Sequence, residues 1–373
     1  METHWIEEKQ LEKALARNEA FWNGELEEYP LIWVIAPNAR HGQSIAEPDE
    51  EEKMWTDVDY VISAAEYQLC RTYYAGDALP VFNPWLGPDQ FAGWLGADLI
   101  LKPKDFTSWV KPFVDDWEKY PQLKIDPDNR WWKLYLETVH ASVEAGKGKW
   151  VTAYPDLHTG IDGLGAIRGP ENLMIDMMTR PEIIRRAMRQ MTDLWKYVVD
   201  IVSDIVLPAG QGTSNWAMGW SQKRFLCIGQ NDFSCLVSPE MFRDFCRQDN
   251  LECCDYVDHS LYHLDGPGAA RHLPTLLELA SLDAIQWIEG ANNPRPSQWL
   301  DMLRKIQQSG KSVQVTYLPA TNTEPFDIFT EIEILCEHLD HTKLFIWTIA
   351  ETVEQADSIV DHARRICLRK RNF

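Results

Sequence analysis

The sequence predicts a single α/β domain, a (β/α)8 TIM barrel with an N-terminal helical extension over about residues 1–56. Three observations lead there. From Ser238 onward, short apolar runs alternate with amphipathic stretches, which is how strands and helices laid down in turn appear. Runs such as Leu344 to Thr348 are apolar throughout instead of at every second residue, so both of their faces are buried, as in a parallel sheet. Eight or nine such runs cover the chain with no composition break to mark a linker, and one closed ring explains them better than two open sheets.

Residues 5–24 carry apolar positions among charges and are expected to form an amphipathic helix. Leu31 to Ile35, between Pro30 and Pro37, is the first buried strand, and Glu47 to Glu52 an acidic loop. Residues 57–74 are expected to be helical, and Gly76 to Asp89 is too rich in proline and glycine to be regular. Further strands are expected at 97–101, 150–154, 210–220 and 225–228, with helices at 129–145 and 181–207. The regular half follows: helix 238–257, with Ser238 at its N-cap and Pro239 at its first position, strand 259–264, helix 271–280, strand 284–287, helix 296–309, strand 312–317, helix 326–338, strand 344–348 and helix 351–367.

Composition narrows the function. A formal net charge of −21 opposes nucleic acid and anionic membranes and favours a small neutral or cationic substrate, or a protein partner. The opening residues lack a basic region followed by an apolar run, so no signal peptide is expected. No apolar stretch reaches the length needed to cross a bilayer, and the eight cysteines read as reduced thiols of a cytoplasmic protein. Familiar chemistries fall away too. No glycine-rich phosphate loop follows the first strand, where Ala36-Pro37-Asn38-Ala39-Arg40 stands, and the chain has no Gly-x-Ser-x-Gly and no His-Glu-x-x-His.

The most informative stretch is His259 to Gly268, a strand ending in His263-Leu264-Asp265 before Gly-Pro-Gly. Residues two apart on a strand point the same way, so His263 and Asp265 emerge together, with Leu261 below them. An imidazole beside a carboxylate suits a metal site or an acid/base pair; the alternative is that Asp265 caps a helix beginning near Ala269 and His263 is a satisfied core histidine. At the C-terminal mouth of a barrel the other polar strand ends collect as well: Asp156 and His158, Trp216, Asp232, Glu289, Tyr317 and Glu351. Trp216 and Trp220 are expected to form an aromatic wall.

With these residues in place, the chain resembles the uroporphyrinogen decarboxylase superfamily, and within it the branch of zinc-dependent corrinoid methyltransferases. The likeness is diffuse over about residues 57–365 and most specific in three blocks: Gly76-Asp77-Ala78-Leu79-Pro80, Asp232 through Phe242, and Tyr262-His263-Leu264-Asp265-Gly266. It implies a barrel with its site at the C-terminal mouth, catalytic roles for His263, Asp265 and Asp232, and substrate contacts from Asp77, Asp156, His158, Trp216, Trp220 and Tyr317. In that branch a His-x-Cys pair and a later cysteine bind zinc. Here Asp265 stands at the first cysteine position, and Ile346 to Glu351 contains none. An N/O site of His263, Asp265 and Glu351 remains, since zinc accepts histidine and carboxylate.

The resemblance therefore implies demethylation of a small methylated substrate, with the methyl passed to a corrinoid on a partner protein, and a homodimer. The decarboxylase branch implies a cofactor-free lyase with Asp232 or Asp265 as proton donor, although only Arg40 is left of its arginine-rich loop. A third alternative is a ligand-binding barrel without turnover.

Overall fold

The computed structural model describes residues 5–38, 45–318 and 326–371, so Ala39 and Arg40 lie outside the described residues. Its strands are β1 (Leu31–Pro37), β2 (Thr72–Gly76), β3 (Val81–Phe82), β4 (Asp98–Lys102), β5 (Thr107–Lys111), β6 (Val151–Thr152), β7 (Phe225–Gly229), β8 (His259–Asp265), β9 (Ala284–Ile288), β10 (Ser312–Tyr317) and β11 (Leu344–Ile349). Seven of them form one sheet in the order β2-β1-β11-β10-β9-β8-β7, parallel throughout except between β1 and β2.

That ladder is open among the described residues, so the backbone pairing gives a mostly parallel seven-stranded sheet and does not establish the closed eight-stranded ring the sequence predicts. The difference lies in the first half of the chain. There β3 and β6 are two residues long and pair only with each other. Pro80 and Pro84 flank β3 and Pro155 follows β6 closely; proline cannot donate to a ladder, which keeps both strands short. The expected strand at 210–220 contributes a single bridge, Thr213 to Ser221.

Alternate residues divide the sheet's two faces as a doubly buried sheet requires. Tyr262, Leu264, Ile285, Trp287, Val313, Val315, Leu344 and Ile346 face the helical layer and join the largest apolar cluster. Leu31, Trp33, Phe225, Leu261 and Phe345 face the other way. The N-terminal helix Glu8–Trp22 covers that inner face at the strands' N-terminal ends: Phe21 packs on Phe345, and Trp22 on Phe225 and His259. The C-terminal helix Val353–Arg371 packs on β1 and β2 from outside.

Three expectations are corrected. The helix at 57–74 stops at Cys70, because Thr72-Tyr73-Tyr74 return as antiparallel β2, in keeping with their β-branched and aromatic character. Strand 97–101 is one arm of a β4–β5 hairpin, turned at Phe106 with φ 49°. The helix at 271–280 is two short pieces, Gly266–Ala270 and Leu273–Leu277. All eight cysteines are free thiols, and no helix among the described residues is long and apolar enough to cross a membrane.

Candidate functional site

On β8, His259, Leu261, His263 and Asp265 share the inner face. The lower positions, His259 and Leu261, pack, and His263 and Asp265 are carried to the C-terminal edge. His263 is nine-tenths buried, with Trp216 edge-on at 4.9 Å. Its register neighbour on β9 is Gln286, whose side chain points inward at the same level, and His263 Nδ1 lies 2.6 Å from Gln286 Oε1. The Gln286 amide nitrogen donates to Thr316 Oγ1, which assigns the oxygen to the histidine. An amide oxygen only accepts, so Nδ1 carries a hydrogen toward Gln286 and Nε2 is the ring nitrogen left for another partner. Asp265 occupies the N-cap position of Gly266–Ala270 but accepts no cap hydrogen bond, so capping does not explain it.

Asp232 arrives from the neighbouring strand. A register shift between Cys227 and Gly229 bends the end of β7, and Asn231, left-handed at φ 50°, turns the chain back so that Asp232 opens a 3-10 helix at the sheet edge. Ligand-capable atoms of Asp232, His263 and Asp265 all lie within 4.8 Å of one another. A second group, His158, Asp162 and Asp232, meets the same limit, so Asp232 belongs to both.

The second group is set up by the loop after β6 and by helix Gly160–Arg168. Asp156 is buried, with one oxygen accepting from Gln230 at 2.9 Å and the other 3.3 Å from His158 Nε2. Asp162, in the first turn of the helix, accepts the backbone N–H groups of Asp232 and Phe233 at 3.0 and 2.8 Å, which ties the two loops together.

Burial and the neighbouring carboxylates set the local electrostatics. Burial opposes a charged His158, yet Asp156, Asp162 and Asp232 raise its pKa to about 10. The Asp162 carboxyl is pushed up to about 7, by burial first and then by Asp232. Burial also raises Asp265, partly offset by His263. Burial holds the nearby Cys227 thiol well above its usual range, and neither group of ligand-capable side chains among the described residues includes a cysteine. These donors do not fit a thiolate zinc site; two imidazoles and several carboxylates fit a divalent cation that accepts N/O ligands.

The remaining sequence candidates scatter. Glu351 is exposed and belongs to neither group; Asp232 stands where Glu351 was expected. Asp77 is fully buried at the N-terminal end of β1, paired with Arg17 at 2.8 Å and accepting from the Ile32 N–H, which is a structural role. Trp220 is buried with the N-terminal helix and donates to the Gln211 carbonyl, so only Trp216 of the expected wall faces the site. Tyr317 is buried, its hydroxyl donating to Glu331 at 2.8 Å. Sequence reasoning missed Asp162, which reads as a first-turn helix acid, and Gln286, whose signal is its register with His263.

Among solved structures the chain is similar to a methyltransferase from Methanosarcina mazei, with a TM-score of 0.59 and 12% sequence identity over 95% of this chain and 98% of that one. The two share a fold. No family model and no curated protein matches the chain.

Proposed function

We propose that the protein is a methyltransferase in which His263, Asp265 and Asp232 hold a divalent cation and a corrinoid on a partner protein accepts the methyl group. The observation behind this is the buried His263 ring, fixed through Nδ1 by Gln286, with carboxylate oxygens of Asp232 and Asp265 within 4.8 Å of a ring nitrogen. The fold shared with a solved methyltransferase supports the reaction class. Bound there, the cation supplies Lewis acidity to the oxygen or nitrogen bearing the methyl group.

The chain's own residues bind and orient. Gln286 holds the His263 ring, and Trp216 walls one side of it. The acidic mouth repels polyanions and accepts neutral or cationic compounds, so a methylated amine or ether is the substrate class. On transfer, the bond between methyl and heteroatom would break with its electron pair left on the heteroatom; an ether or neutral amine then takes one proton from water, whereas a cationic amine leaves as the neutral amine and takes none. A reduced corrinoid, where bound, would supply the nucleophile that accepts the methyl group.

A cofactor-free lyase is the second reading, favoured by Asp162, whose carboxyl near 7 is a proton donor at neutral pH. One set of assays separates them. Wild type, His263→Ala and chelator-treated protein are incubated with methylated amines and ethers plus reduced cobalamin, and corrinoid absorbance is followed. Methylation by wild type, lost in the other two, is expected. Carbon dioxide release from carboxylic acids, undiminished by chelator, overturns the methyltransferase reading in favour of the lyase; tight ligand binding without turnover of either kind overturns both.

A further inference from the structure

Two overlapping groups of ligand-capable side chains share the mouth. Asp156, Asp162, Asp232 and Asp265 converge there, and among the described residues no lysine or arginine pairs with any of them; His158 is the sole ion-pair partner. Asp232 is common to both groups, and a carboxylate has two oxygens that can face two ions at once.

The histidines point the same way. Each is gripped on one ring nitrogen by a buried acceptor, His263 by Gln286 and His158 by Asp156, and Asp156 is itself pinned by Gln230 and, through its backbone carbonyl, by Gln90. Such an outer acceptor orients a metal-binding imidazole and leaves its other nitrogen free for the ion. His263, nine-tenths buried, has no hydrogen-bond partner for that second nitrogen among the described residues.

We infer that the site holds a second divalent cation, on His158 and Asp162, with Asp232 bridging it to the ion on His263 and Asp265. This rests on the reading of His263, Asp265 and Asp232 as donors to a first ion. Paired ions about 3.5–4 Å apart act together on one bridging group, so the second ion would clamp the same substrate heteroatom from its other side.

The test is metal stoichiometry. Metal-free protein is titrated with Mn2+ in a calorimeter, and the loaded sample is examined by electron paramagnetic resonance. Two ions per chain and a spin-coupled Mn2+ signal are expected. His158→Ala and Asp162→Asn, each checked for a wild-type circular dichroism spectrum, should each retain one ion and lose the coupling; the second variant stands in should the first fail to fold. His263→Ala should lose at least the first ion. One ion in wild type, unaffected by either change in the His158 group and lost in His263→Ala, overturns this inference and leaves the proposed function standing. No ion in any form overturns both.

Discussion

Replacing Gln286 with methionine isolates the contact that orients His263. Gln286 is 2% exposed and methionine has nearly its volume, so the change opens no large cavity; what disappears is the acceptor 2.6 Å from Nδ1. Two effects follow, and they are separable. In metal-free protein a buried N–H is left unpaired, which costs about 1–3 kcal/mol of stability. The ring also loses the partner that fixes its tautomer, and removal of such outer contacts weakens metal binding by about 10–100-fold, or about 1.4–2.8 kcal/mol. Competition with a chromophoric chelator for Zn2+ measures the affinity, and a thermal melt of the metal-free form measures the stability. Gln286→Glu keeps an acceptor at the same place and should restore most of the affinity. A folded Gln286→Met protein with wild-type affinity, or a glutamate variant as weak as the methionine one, would refute the orienting role.

Other consequences are independent of the metal. Asp249, half-buried on helix Pro239–Tyr256, has its pKa raised from 3.8 to about 6, chiefly by burial. The folded state therefore binds the proton more tightly than the unfolded chain, and stability falls as pH rises from about 4 to about 6. Asp249→Asn, whose amide oxygen can still accept from Thr192, should accordingly stabilise the protein more at pH 7 than at pH 4, by up to about 3 kcal/mol; equal gains at both pH values in denaturant titrations would contradict this. Asp77→Ala leaves Arg17, only 11% exposed, without its carboxylate and should cost about 3–5 kcal/mol while leaving metal content unchanged. Trp220→Ala should destabilise by about 3–5 kcal/mol, as loss of a buried tryptophan does. Trp216→Ala should mainly raise the KM, because that ring stands against His263.

How far the sequence could be read follows from which interactions are local. Strands β7 to β11 were legible because each is a short apolar run with turn residues at its ends. The pairing of His263 with Asp265 followed from the two-residue period alone. Nothing local, however, tells that Asp232 swings over the sheet edge, since this depends on the register shift in β7 and the left-handed Asn231. Asp77 illustrates the opposite failure. Its loop is irregular and polar, as a site loop is, but its charge is answered by Arg17, 60 residues earlier, and no local pattern announces a pair so distant. Trp216 and Trp220 look alike in sequence, and the chain's turn at Met218, with φ 67°, sends one to the site and the other to the N-terminal helix.

Diffraction from crystals grown with Mn2+ or Zn2+, with an anomalous-difference map recorded at the metal's absorption edge, tests the cation-binding mouth most directly. A peak within bonding distance of His263 Nε2, Asp232 and Asp265 is the predicted result. Crystals saturated with metal that show peaks only at surface or lattice positions, and none beside His263, would contradict it.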